Sequence, residues 1–86
     1  MATVTVYTGS FCGYCQQVKA LLERHGIPYT ERSVEDEPGL REKLMASSGR
    51  RTLPQVYVGE RYIGGADEIR ALDASGELTK LMQTEE

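Results

Sequence analysis

The chain has 86 residues, 40% of them hydrophobic and 27% charged, and a formal net charge of -3. This length suits one compact soluble domain, residues 1–86, and leaves no room for a second. Its Lys and Arg residues are scattered and outnumbered by acids, which argues against nucleic acid as a partner, because phosphate binding needs a clustered basic face.

Met1-Ala2-Thr3 runs straight into VTVY without a charged leader, a long apolar run or a small-residue cleavage site. No signal peptide or membrane span is expected, and the protein reads as cytoplasmic. Thr3 to Tyr7 alternates and is rich in β-branched residues, which predicts a strand with Val4 and Val6 on one face. From Gly13 to His25 the apolar residues Cys15, Val18, Leu21 and Leu22 recur at helical spacing, and Gly26 with Pro28 supplies a stop. Pro28 to Val34 follows as a more polar strand; the helix-length crossover makes it parallel to the first.

Asp36 as cap, Pro38 in the first turn and Leu40, Leu44 and Met45 before Gly49 predict a second helix, with Arg41, Glu42 and Lys43 on its exposed face. Pro54 to Val58 and Arg61 to Ile63 flank Gly59-Glu60, the pattern of a β-hairpin. Beyond Gly64-Gly65, Asp67 is a candidate cap for a helix with Ile69 and Leu72 inward and Gly76 at its end. Leu78, Leu81 and Met82 suggest a further turn, and the tail QTEE is expected to fray. The order β-α-β-α-β-β-α gives an α/β fold, a small four-stranded mixed sheet with helices on both faces.

Both cysteines, Cys12 and Cys15, lie in GSFCGYCQQ at the start of the first helix. A permanent staple is unexpected in a reducing compartment, which leaves redox chemistry, a metal clip or buried thiols. At a helix N-terminus the unpaired amides and the positive dipole end stabilise a thiolate, so Cys12 is the expected nucleophile. Cys15, one turn on and on the apolar face, is the expected resolving thiol. Zinc normally takes four Cys or His ligands, and here the third candidate, His25, lies ten residues past Cys15. Inert burial fits poorly with a Gly-Tyr insert that follows Gly9 and Ser10.

Three segments, VTVYTGSFCGYC, SGRRTLPQVYVG and YIGGADEIRALDASGEL, together resemble the glutaredoxins of the dithiol class, which have a thioredoxin-like fold. The resemblance covers essentially the whole chain. It implies an enzyme that reduces protein disulfides and glutathione mixed disulfides with glutathione as reductant and no tightly bound cofactor. It also implies that Thr52, Leu53 and Pro54 form the cis-proline motif, with Leu53 hydrogen-bonding the cysteinyl backbone of glutathione. By the same resemblance Gly65, Ala66 and Asp67, with Glu68 nearby, receive the γ-glutamyl end, Tyr14 flanks the sulfur, and Arg41 faces the glycyl carboxylate.

Two residues depart from the pattern. Gly9 stands where relatives commonly carry Lys, which implies a less stabilised thiolate or weaker glutathione binding unless Arg41 or Arg51 substitutes. Gly13 stands where many dithiol members have Pro, a change that the resemblance associates with a [2Fe–2S] cluster bridging a homodimer through Cys12 and two glutathiones. Expected partners are otherwise glutathione and glutathionylated or disulfide-bonded proteins, with a monomeric chain, no nucleic acid and no membrane.

Overall fold

The structure is a computed structural model and describes residues 3–82. The expected fraying of QTEE falls on residues 83–86, outside the described residues. Eight elements follow in order: β1 (Val4–Thr8), α1 (Gly13–Arg24), β2 (Thr30–Ser33), α2 (Leu40–Ser48), β3 (Gln55–Val58), β4 (Arg61–Gly64), α3 (Ala66–Ser75) and α4 (Leu78–Met82).

The strands form one mixed sheet in the order β2-β1-β3-β4. β1 and β2 are parallel, as the intervening helix requires, with Thr5 opposite Thr30. β3 runs antiparallel to both β1 and β4, with Val6 opposite Val56 and Val58 opposite Arg61. Gly59, at φ 62°, supplies the positive dihedral that the two-residue hairpin connection needs.

Alternation along the strands divides the core between the two faces of the sheet. Val4, Val6, Val56 and Val58 pack with Val18 and Leu22 of α1, Ile69 of α3 and Leu78 of α4. On the other face Tyr57 packs with Val34 and with Leu40 and Leu44 of α2, against partly buried Tyr7, Leu53 and Tyr62. The rings of Tyr7 and Tyr57 meet edge to face with centroids 5.3 Å apart, and the Tyr57 hydroxyl reaches Ser47 Oγ at 3.0 Å. Met45, expected inside, is an exposed residue of α2.

α2 starts later than the cap rules predict. Asp36 does not cap it: its N–H donates to the Ser33 carbonyl in a turn, and the helix begins at Leu40 after Gly39 at φ 83°. A left-handed residue cannot lie inside an α-helix, so Gly39 sets the boundary and Pro38 stays outside. The turn is fastened by Arg32, whose Nε donates to Glu37 Oε2 at 2.9 Å.

Candidate active site

Sequence dictates a sharp turn between β1 and α1, and Phe11 makes it with φ 55° while its side chain stands fully in solvent. Ser10 anchors the turn, its N–H donating to Glu35 Oε2 at 3.1 Å and its hydroxyl to Glu35 Oε1. The hydroxyl bond, followed by the N–H bond, holds the Glu35 carboxyl below its ordinary range. Cys12 then emerges as the N-cap of α1, and its Sγ accepts the Cys15 N–H at 3.1 Å. That bond satisfies one of the amides a helix start leaves without partners. Cys15 lies one turn on with 1% of its surface exposed, and a disulfide joins the two residues across a Cα separation of 5.2 Å.

The loop entering β3 faces this disulfide. Its Leu53-Pro54 peptide bond is cis, and the Leu53 carbonyl oxygen lies 3.8 Å from Cys12 Sγ. In the disulfide that sulfur has no proton to donate; as a thiol it does. The start of α3 packs against the same loop, so closely that a Cβ on Gly65 would lie 3.1 Å from the Pro54 carbonyl oxygen. Ala66 and Asp67 follow as first-turn residues, whose amides have no acceptor within the helix. Cys12, Leu53, Pro54 and Gly65 thus come together around one cleft, and Ala66 and Asp67 follow Gly65 in the first turn of α3. Tyr14 stands half exposed at the rim of the cleft, with the Arg70 guanidinium 5.7 Å over its ring.

A family model described as Glutaredoxin matches residues 4–63. The chain belongs to the glutaredoxins. It is 40% identical over 83 residues to glutaredoxin 3 of Escherichia coli strain K12, an alignment that spans 96% of this chain and all of that protein. The solution structure of glutaredoxin from Brucella melitensis superposes with a TM-score of 0.86 at 39% identity, covering 98% of this chain and 91% of that one. A crystal structure of the buckwheat glutaredoxin–glutathione complex superposes with a TM-score of 0.87 at 28% identity, covering 94% and 76%. The thioredoxin-like fold and the redox-active Cys12–Cys15 pair follow, and the glutaredoxin chain is a thiol–disulfide oxidoreductase.

Several details of this glutaredoxin site were not in the residue pattern. Asp67 is not the α3 cap: Gly65 occupies that position, and the Glu68 carboxylate takes its N–H at 2.9 Å. The Gly65 bond is the largest influence holding the Glu68 carboxyl below its ordinary range, aided by Arg50 at 3.3 Å. Arg41 lies beyond Leu53, lining with Val34, Leu44, Met45 and Arg51 a groove of about 590 Å³. Its Nη2 comes within 3.9 Å of where a Cβ on Gly9 would stand, and Leu53 Cδ1 within 2.9 Å. Leu53 therefore fills the space beside Gly9 that a longer residue would need. His25 is at the far end of α1, where it pairs with Asp73 at 2.6 Å, about 15–20 Å along the helix from the two cysteines.

Gln55 was also missed. Its side chain, 1% exposed, donates through Nε2 to the carbonyls of Arg50 (2.9 Å) and Thr52 (3.1 Å), while Oε1 accepts from Ser48 Oγ at 2.9 Å. One buried carboxamide thus fixes the loop bearing Thr52, Leu53 and Pro54 to α2. The available signal was a polar residue beginning an otherwise apolar central strand, since such a side chain must find partners when buried.

Proposed function

We propose that this glutaredoxin reduces glutathione mixed disulfides and protein disulfides with glutathione as its reductant, Cys12 being the nucleophile and Cys15 the resolving thiol. The observation that carries the reading is the unequal placement of the two sulfurs. Cys12 caps α1 and its sulfur receives an amide, whereas Cys15 is buried beneath it. In the reduced state the same amide and helix end favour a Cys12 thiolate.

That thiolate attacks the glutathione sulfur of a mixed disulfide; the old S–S bond breaks, and the protein thiol leaves with the electron pair and takes up a proton. A second glutathione thiolate then attacks the glutathione sulfur held on Cys12, giving glutathione disulfide and the free Cys12 thiolate. With a protein disulfide, Cys15 attacks Cys12 and expels the second protein thiol, leaving the Cys12–Cys15 disulfide for two glutathiones to reduce.

The recognition of glutathione by a buckwheat relative supports the ligand assignment. The tripeptide would extend along Leu53, with its γ-glutamyl carboxylate on the Ala66 and Asp67 amides and its glycyl carboxylate toward Arg41 and Arg51. Thr52 and Pro54 shape the loop, and Tyr14 borders the sulfur. A [2Fe–2S] cluster bridging two chains through Cys12 and two glutathiones is the less favoured alternative, since the family match and the paired Cys12 and Cys15 support thiol–disulfide exchange. Cysteine usage supports a cytoplasmic setting, and among the described residues no helix is long and apolar enough to cross a membrane.

The test is glutathione-coupled turnover of wild type, Cys12→Ser and Cys15→Ser on a glutathionylated peptide and on a protein disulfide. Cys12→Ser is expected to fall to background on both. Cys15→Ser should retain the glutathionylated peptide and lose the protein disulfide. Turnover surviving in Cys12→Ser would overturn the reading.

A further inference from the structure

The first turn of α3 carries two carboxylates, and each already faces a guanidinium of this chain. Arg70, one turn along the helix, donates through Nη2 to Asp67 Oδ1. It is also tethered to α1, with Nη1 donating to Gln17 Oε1 at 3.1 Å and Cζ lying over the Tyr14 ring. Glu68 is held by Arg50 at 3.3 Å and by the Gly65 amide at 2.9 Å. Neither carboxylate is therefore a free counter-ion. An arriving α-ammonium would have to share Asp67 with Arg70, and the like charges oppose one another. An arriving α-carboxylate still finds the Ala66 and Asp67 amides, which lack helical acceptors and are not taken by Glu68, and the Arg70 guanidinium attracts it.

We propose that Arg70 is a specificity-determining residue that makes the site nearly indifferent to the α-ammonium of its thiol ligand. The chain then accepts thiol peptides of the glutaryl-cysteinyl-glycine class, which keep the terminal carboxylate and lack the amine, about as well as glutathione. This deepens the glutathione reading above and rests on it. Three partners hold Arg70 over the rim, so it is better placed to compete for Asp67 than a freely rotating surface cation. Asp67, with 86% of its side chain exposed, retains room for a second partner, so the discrimination is graded rather than absolute.

The experiment uses two mixed disulfides, one of glutathione and one of glutaryl-cysteinyl-glycine, each with a chromogenic aromatic thiol. The Cys12 thiolate bonds to the tripeptide sulfur, the disulfide breaks, and the aromatic thiolate that leaves is read by absorbance. The quantity of interest is the kcat/KM ratio of the two substrates for wild type, Arg70→Gln and Arg70→Lys. In wild type the ratio should lie within about two-fold of one; in Arg70→Gln it should shift about two- to five-fold toward glutathione, the scale of an exposed ion pair. Arg70→Lys keeps the charge but loses the fork that reaches Gln17 and Asp67 together, so its ratio should fall between those of wild type and Arg70→Gln. A wild-type preference for glutathione of about tenfold would overturn the proposal. So would an unchanged ratio in Arg70→Gln, including the case where both rates fall together because Tyr14 has lost its neighbour. If neither substrate reacts faster with wild type than with Cys12→Ser, the glutathione reading itself fails; a Cys12-dependent reaction with the wrong ratio overturns the Arg70 assignment alone.

Discussion

Gln55 shows how much of the cleft depends on a residue that never meets a substrate. A carboxamide can be buried at little cost only when its donors and acceptor are used, and here all of them are: two loop carbonyls and the Ser48 hydroxyl. Gln55→Leu preserves bulk but strands those partners, so it should cost about 1–3 kcal/mol by urea unfolding and lower kcat/KM for the glutathionylated peptide as the loop loosens. Unchanged stability and turnover would remove Gln55 from the account. The cysteine pair could be read from sequence because its chemistry lies in local spacing and a helix start. Gln55 could not, because its partners are carbonyls of a loop whose path is set by the tertiary structure. Phe11 was equally hidden, since its left-handed backbone is imposed by the turn out of β1 and is uncommon for a bulky residue.

At the scale of elements, the helix bodies followed apolar periodicity while two of their starts did not follow the cap rules. Aspartate was the expected cap at α2 and at α3, and both helices begin after a glycine instead. At α3 the reason is packing: Gly65 passes beside the Pro54 carbonyl, where a side chain would be cramped, and Glu68 supplies the missing acceptor. The Glu68 carboxyl is held below its ordinary 4.5, so the folded chain binds that proton less readily than the unfolded chain. Its stabilisation is thus complete above 4.5 and is lost as pH falls through the lower folded value. Glu68→Gln should be less stable than wild type by about 0.5–1 kcal/mol at neutral pH, and the gap in urea midpoints should shrink at about pH 3. A gap that is constant with pH would show that the carboxylate's charge plays no part.

For the molecule as a whole, the strand order and the two-sided core explain how residues distant in sequence meet. β1 and β3 are adjacent, so the turn leaving β1 with Cys12 lies against the loop entering β3 with Leu53, and α3 closes the cleft from the face it shares with α1. The parallel pair, the hairpin and the helices on both faces were legible because connection lengths and alternation constrain them. The pairing of Glu68 with Arg50 was not, because partners on separate elements are chosen only once those elements have docked, whereas Asp67 and Arg70, three apart on one helix, lay within reach of helical spacing. Cys12 alone makes the first attack on a substrate disulfide. This is tested most directly by exposing reduced Cys15→Ser and Cys12→Ser to a glutathionylated peptide, quenching with acid and mapping the glutathione adduct by mass spectrometry. Rapid, single glutathionylation at Cys12 is expected in the first variant and none above the rate of an unfolded thiol in the second; rapid adduct formation on Cys15 would contradict the assignment of Cys12 as nucleophile.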